Sequence, residues 1–198
     1  MEIDMAKASG GTRNYAGAQG TLAKRREEFD SLMKGGYDAA RSYFDASGGF
    51  VATHGEHERA DGVEDRSEVA ARLLAEKGYK VYLDSELAVL EGVKHPDGRV
   101  YDYQMDIKTI NKAGENSIRG AIERGVKQLR NHDKAANGGE RRKRAVVLYQ
   151  NTPDMDRSYV VSQLDKFVNR SSSEFRNSLD LVIVVGSNGR VHRHYLDK

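Results

Sequence analysis

The 198-residue chain contains no cysteine, which removes disulfides, thiolate metal sites and cysteine nucleophiles together and fits a reducing compartment. It has no apolar run approaching the length of a membrane span. Residues Met1 to Lys7 lack the apolar core of a secretory signal, so export would require a carrier or a larger parent chain. An excess of one charge is also missing: 32 Lys and Arg face 30 Asp and Glu, a formal charge of +2, so a polyanionic partner is neither demanded nor excluded. Any nucleic-acid signal has to be local. No Walker loop, dinucleotide fingerprint or Ser-His-Asp signature is present. Chemistry is left to Asp, Glu, Lys, His, Arg, Ser and Thr.

What remains is a chain 38% hydrophobic and 31% charged, long enough for one ordinary core with an accessory segment. Residues 1–20, rich in Gly, Ala and small polar residues without an apolar period, read as a flexible lead-in. Residues 21–47 read as a helical arm, capped by Thr21 and broken at Gly35-Gly36, with Leu22, Phe29, Leu32, Met33, Tyr37, Ala40 and Tyr43 at helical spacings. The main domain spans 50–198. Within it the patterns predict a short strand at Phe50 to His54, a helix from Asp65 to Lys77 ended by Gly78, and a strand at Tyr79 to Leu83. One strand, straight or bent, is expected from Arg99 to Ile110, then a helix from Asn116 to Arg130 and a basic loop from His132 to Arg144. Apolar strands at Ala145 to Tyr149 and Leu179 to Val185 enclose a third helix at Arg157 to Asn169, and Ser187-Asn188-Gly189-Arg190 turns into a last strand, Val191 to Tyr195. The succession describes an α/β (α+β) fold, a mixed sheet with flanking helices.

Chemistry concentrates in His95 to Thr109, which reads P-D-x8-D-x-K from Pro96 to Lys108. On a strand, Asp106 and Lys108 leave the same face, and a hairpin turn at Asp97-Gly98 would bring Asp97 beside them. Two carboxylates on neighbouring strands bind a hard divalent cation, and a lysine stabilises a charged pentavalent phosphorus. Glu68, on the preceding helix, is a further candidate ligand. The alternative makes Asp97-Gly98 an ordinary turn and Asp106 and Lys108 a solvated strand face.

The stretch from Glu68 to Tyr149 resembles the core of the PD-(D/E)xK nuclease superfamily. With Glu68 to Leu74, Lys77-Gly78-Tyr79-Lys80-Val81, Pro96-Asp97-Gly98, the Asp-x-Lys strand, Ser117-Ile118-Arg119 and Val126-Lys127-Gln128, residues 50–195 resemble the C-terminal tRNase domain of contact-dependent growth inhibition (CdiA-type) toxins. Similar modules end polymorphic toxins and phage Mu-F-type head morphogenesis proteins. The resemblance implies a nuclease, an endoribonuclease acting on tRNA as a toxin in the cytoplasm. Lys108 would stabilise the phosphorane, and Ser117, Arg119 and Lys127 would hold phosphates. Such an RNase needs no metal, whereas a PD-(D/E)xK DNase would use Mg²⁺ through Glu68, Asp97 and Asp106. Residues Tyr101 to Met105 depart from the toxin pattern and leave the acid equivalent open between Asp102 and Asp106.

Other candidates are less specific. His54 and His57 precede the first core helix, and His54 is the better candidate general base or acid. His192 and His194 lack a third ligand at a recognisable spacing and read as edge residues. The run Arg141-Arg142-Lys143-Arg144, with Arg130, His132 and Lys134, could track phosphates or serve as a solubilising gatekeeper. Candidate partners are RNA or DNA, a cognate immunity protein, or a phage capsid or delivery component. The rival from another class is a non-catalytic phage or mobile-element binding protein. An immunity role is disfavoured, since such proteins are usually markedly acidic.

Overall fold

Asp65 caps the first core helix, α2 (Arg66–Ala75), by accepting from Ser67 N at 2.8 Å, and Gly78, at φ 82°, turns the chain out of it into β3 (Lys80–Leu83). These elements belong to a computed structural model that describes residues 22–57, 65–85, 93–136, 141–152 and 156–196. The lead-in to residue 20, the Thr21 cap and residues 137–140 of the basic loop lie outside the described residues.

Ahead of α2 stand α1 (Leu22–Leu32), β1 (Tyr43–Phe44) and β2 (Phe50–Thr53). After β3 come β4 (Gly98–Val100), β5 (Tyr103–Ile110), α3 (Ser117–Ala136), β6 (Arg144–Gln150), α4 (Arg157–Arg170), α5 (Ser173–Arg176), β7 (Leu181–Gly186) and β8 (Val191–Tyr195). The eight strands form one mixed sheet in chain order, each beside its sequence neighbour. β2/β3, β5/β6 and β6/β7 are parallel and joined through helices, while the remaining pairs are antiparallel. Among the described residues no helix is long and apolar enough to cross a membrane.

The alternation of side chains along the strands sorts the core into two layers. Val81, Leu83, Met105, Ile107, Val147 and Ile183 face α2 through Ala70, Ala71 and Leu74. Val146, Leu148, Val182 and Val184 face α3 and α4 through Ile118, Ile122, Val126, Leu164 and Phe167. On the α3 side of the sheet, but at its other end, Phe29 of α1 packs on Phe50 and Tyr82. α1 and α3 thus cover opposite ends of one sheet face, and β4 lies between them.

Four expectations change. The broken helical arm expected over 21–47 keeps only its first part, which ends at Leu32 ahead of Gly35-Gly36; Tyr43 and Phe44 instead pair with Val51 and Phe50, and Arg25 of α1 donates to Gly48 O and Gly78 O at 3.1 and 2.9 Å. The single 99–110 strand is two, with the turn at Tyr101-Asp102, where Tyr101 adopts φ 53°. Asp97-Gly98 is therefore not the hairpin turn. Gly98 is required there, at φ 154°, because a Cβ would stand 1.8 Å from Tyr82 O of the neighbouring strand. α3 runs six residues past Arg130 to Ala136, so His132 and Lys134 are helical and only the end of the basic loop precedes β6.

Candidate active site

The β4/β5 register pairs Gly98 with Met105, and one step further puts Asp97 opposite Asp106. Both acids therefore leave the α3 face of the sheet, as does Lys108, two residues along β5. Asp97 Oδ2 accepts the Ile107 backbone N–H at 2.5 Å, which fixes its carboxyl at the head of β4. Lys108 Nζ lies against Asp106 Oδ2 and donates to Gln128 Oε1 at 3.2 Å, and Gln128 Nε2 in turn donates to His95 O at 2.6 Å. Among the described residues, no donor apart from Lys108 reaches either carboxylate oxygen of Asp106.

Asp106 is wholly buried beneath α3. Burial pushes its carboxyl up to about 7, the charge of Asp97 adds to this, and Lys108 opposes it. Burial raises the Asp97 carboxyl as well, against the Ile107 N–H, Lys108, His57 and Lys94. The unfolded chain releases the Asp106 proton near the ordinary carboxylate value of 3.8, whereas the folded chain keeps it until about 7. The stability this confers is complete below about pH 4 and is lost as pH rises through about 7. Asp106→Asn should therefore gain stability relative to the wild type as pH rises from 4.5 to 7.5, read as urea midpoints. Parallel midpoints would contradict the raised carboxyl.

Gly125 explains how a helix comes so close. A Cβ there would stand 2.8 Å from Val146 Cγ2 and 3.0 Å from Asp106 Oδ2. Gly125→Ala should cost about 1–3 kcal/mol through overpacking, despite alanine's better helix propensity, measured by chemical denaturation.

The remaining candidates are dispersed. Glu68, on α2 against the opposite sheet face, is bound by Arg41, with Nη2 to Oε1 at 2.6 Å. The expected three-carboxylate set is thus two: among the described residues no group of three or more His, Asp or Glu is arranged to hold a metal. Asp97 and Asp106 alone offer the hard oxygen donors that a divalent cation takes, and among the described residues the Asp106 oxygens have no donor besides Lys108. Asp102, the other candidate acid, is exposed at the hairpin tip and paired with Lys143 at 2.6 Å. His54 packs edge-on to Tyr37 and accepts from Glu56 N at 3.2 Å. It is His57, buried with Nδ1 3.0 Å from Asp84 O, whose charge bears on Asp97. Ser117 opens α3, Arg119 is half-buried and Lys127 is exposed. In the basic run, Arg141 pairs with Asp180 at 2.8 Å, Arg142 is exposed, and Arg144 is turned inward onto Asp133 at 2.6 Å. His192 and His194 lie on the edge strand β8.

Two openings flank the acids. Over β4, a cavity of ≈ 500 Å³ is lined by His95, Pro96, Arg99, Gln104 and His132 among others, and Gln104 Nε2 lies 3.1 Å from His132 Nδ1. Beyond His95, a cleft of ≈ 570 Å³ is lined by Lys94, Arg124, Lys127, Gln128, Asn131 and Lys134. Of these, Lys127 and Lys134 were singled out from sequence as phosphate contacts, and Gln128 only as part of the quoted resemblance. The spacing of Arg124, Lys127, Asn131 and Lys134 by three, four and three residues is the signal that could have found the stripe.

No protein-family model matches the sequence, and no curated protein matches it. One chain of a CdiA-CT/CdiI toxin and immunity complex from Burkholderia pseudomallei is similar over 72% of this chain and 98% of that one, at 17% identity and a TM-score of 0.45.

Proposed function

We propose that the chain is a nuclease domain that cuts the phosphodiester backbone of RNA, tRNA being the class to which its residue pattern points, and that it acts as a toxin. The observation that carries the reading is the meeting of Asp97, Asp106 and Lys108 on one sheet face, beside a cleft lined by cations. Lys108, held between Asp106 and Gln128, offers a positive charge where a phosphate oxygen gains negative charge in the pentavalent state. Asp106, titrating near neutrality, can take or return a proton at working pH, and Asp97 is held facing it by the Ile107 N–H. A divalent cation on Asp97 and Asp106 would supply Lewis-acid stabilisation of the same phosphate charge. The reading implies a cognate immunity protein as partner and the cytoplasm as site of action.

The test is to incubate the full chain with deproteinised tRNA and with supercoiled plasmid, in EDTA and in EDTA with excess Mg²⁺. Cleavage of tRNA is expected. Cutting retained in EDTA assigns the chemistry to Lys108 and the acids alone, and cutting lost in EDTA and restored by Mg²⁺ assigns it to the cation-loaded pair. Plasmid nicked in preference to tRNA moves the substrate to DNA. Both nucleic acids intact throughout would remove the reading and favour a non-catalytic binding module.

A further inference from the structure

α3 carries two acids, and both are turned away from solvent. Glu123 accepts from Ser171 Oγ at 2.6 Å, and Asp133 is buried against Arg144. The exposed stripe of the helix is left with cations and an amide: Arg124, Lys127, Asn131 and Lys134, each exposed and facing the ≈ 570 Å³ cleft. Lys94 stands across from them, and its charge bears on both Asp97 and Asp106. Gln128, at the cleft floor, is the residue that bonds Lys108 Nζ. A charge run on a helix is usually a solvated face laced with opposite charges. Here, among the described residues, no carboxylate lines the cleft, and Gln128 joins it to the lysine of the proposed centre.

The basic run that the sequence offers for this role is largely committed elsewhere. Arg141 is paired with Asp180, Lys143 with Asp102 and Arg144 with Asp133.

We infer that the Arg124, Lys127 and Lys134 stripe of α3, with Lys94 opposite, is the track that binds the nucleic-acid phosphate backbone and leads it to Lys108. This rests on the nuclease reading for its direction but not for its binding. Ten residues of helix rise about 15 Å, enough to run beside about four nucleotides at roughly 3.4 Å each. The contacts are to phosphate, so the track holds a strand without reading its sequence.

The experiment uses the full chain carrying Lys108→Ala, so that bound substrate is not cut. Affinity for fluorescein-labelled tRNA, and in parallel for a labelled DNA duplex, is measured from 50 to 300 mM salt. Adding Arg124→Gln, Lys127→Gln and Lys134→Gln together should lower affinity and reduce the log–log salt slope by about 2, at about 0.7 per lost single-strand phosphate contact. Adding Arg141→Gln and Lys143→Gln instead should leave the slope nearly unchanged. Circular dichroism of each variant confirms that it is folded. Equal losses in the two sets, an unchanged slope in the α3 set, or no binding of either nucleic acid by the parent would overturn the track. The last outcome would point to an acidic protein as occupant of the cleft. A lost slope in the α3 set combined with a wild type that cuts nothing leaves the track standing and removes the nuclease reading alone.

Discussion

Under the proposed function, Lys108→Ala is expected to fold like the wild type and to lose about three orders of magnitude in RNA cleavage. That is the upper part of what removing one preorganised stabiliser of transition-state charge costs. The fold is expected to survive because Asp106 already titrates at about 7 through burial, and losing Lys108 removes an influence that lowers it. The carboxyl then stays protonated and neutral, so no uncompensated charge is left beneath α3. Lys108→Arg should not restore activity, since a planar guanidinium cannot take the compact position between Asp106 Oδ2 and Gln128 Oε1. Far-UV circular dichroism and urea midpoints check the fold, and single-turnover cleavage of end-labelled tRNA checks the chemistry. A Lys108→Ala chain that cuts at the wild-type rate would leave the centre without its charge stabiliser.

Arg144→Ala is expected to be strongly damaging to stability, at about 3–5 kcal/mol, because it takes the cationic partner from a buried carboxylate. Arg144 donates through Nε and Nη2 to Asp133 Oδ2, at 2.9 and 2.6 Å, and through Nη1 to Ser178 O at 3.1 Å, and Arg144 and Asp133 are both buried. The pair ties the end of α3 to the start of β6, so its loss also loosens the helix that covers Asp106. Replacing both members by apolar residues of similar volume, Arg144→Met with Asp133→Leu, should recover most of the loss, since the ions' desolvation cost disappears with them. Urea unfolding of the three variants measures this. A double variant as unstable as Arg144→Ala would mean that hydrogen bonding to Ser178 O, not the stranded charge, is what matters.

Much of this arrangement is legible in the sequence. The period-two alternation of β5 puts Asp106 and Lys108 on one face, and that is where they are. The apolar runs of β6 and β7, the start of the first core helix at Asp65 and the Gly78 exit of α2 were equally readable, because each depends on local periodicity or on one residue's backbone preference. What failed was non-local. Asp97-Gly98 carries the composition of a hairpin turn, but Gly98 is there for the close approach of Tyr82 O, and the turn falls at Tyr101, a non-glycine residue at positive φ. Glu68 looked like a ligand until Arg41, 27 residues earlier, claimed it. Lys127 and Lys134 of the α3 stripe were read as phosphate contacts but Arg124 and Asn131 were not, since nothing local shows that Glu123 and Asp133 bond inward to Ser171 and Arg144. Tyr43 and Phe44 kept a helical spacing, yet the strand pairing with Phe50 and Val51 prevailed over it.

The central claim is that Asp97, Asp106 and Lys108 act as one centre. The direct measurement is the single-turnover cleavage rate of end-labelled tRNA by the wild type, Asp97→Asn, Lys108→Ala and the double variant. If they are one unit, each single variant falls by a similar large factor and the double variant is no slower than the worse single, because groups that act together are strongly non-additive. Losses that multiply, or an Asp97→Asn chain that cuts at the wild-type rate, would contradict it.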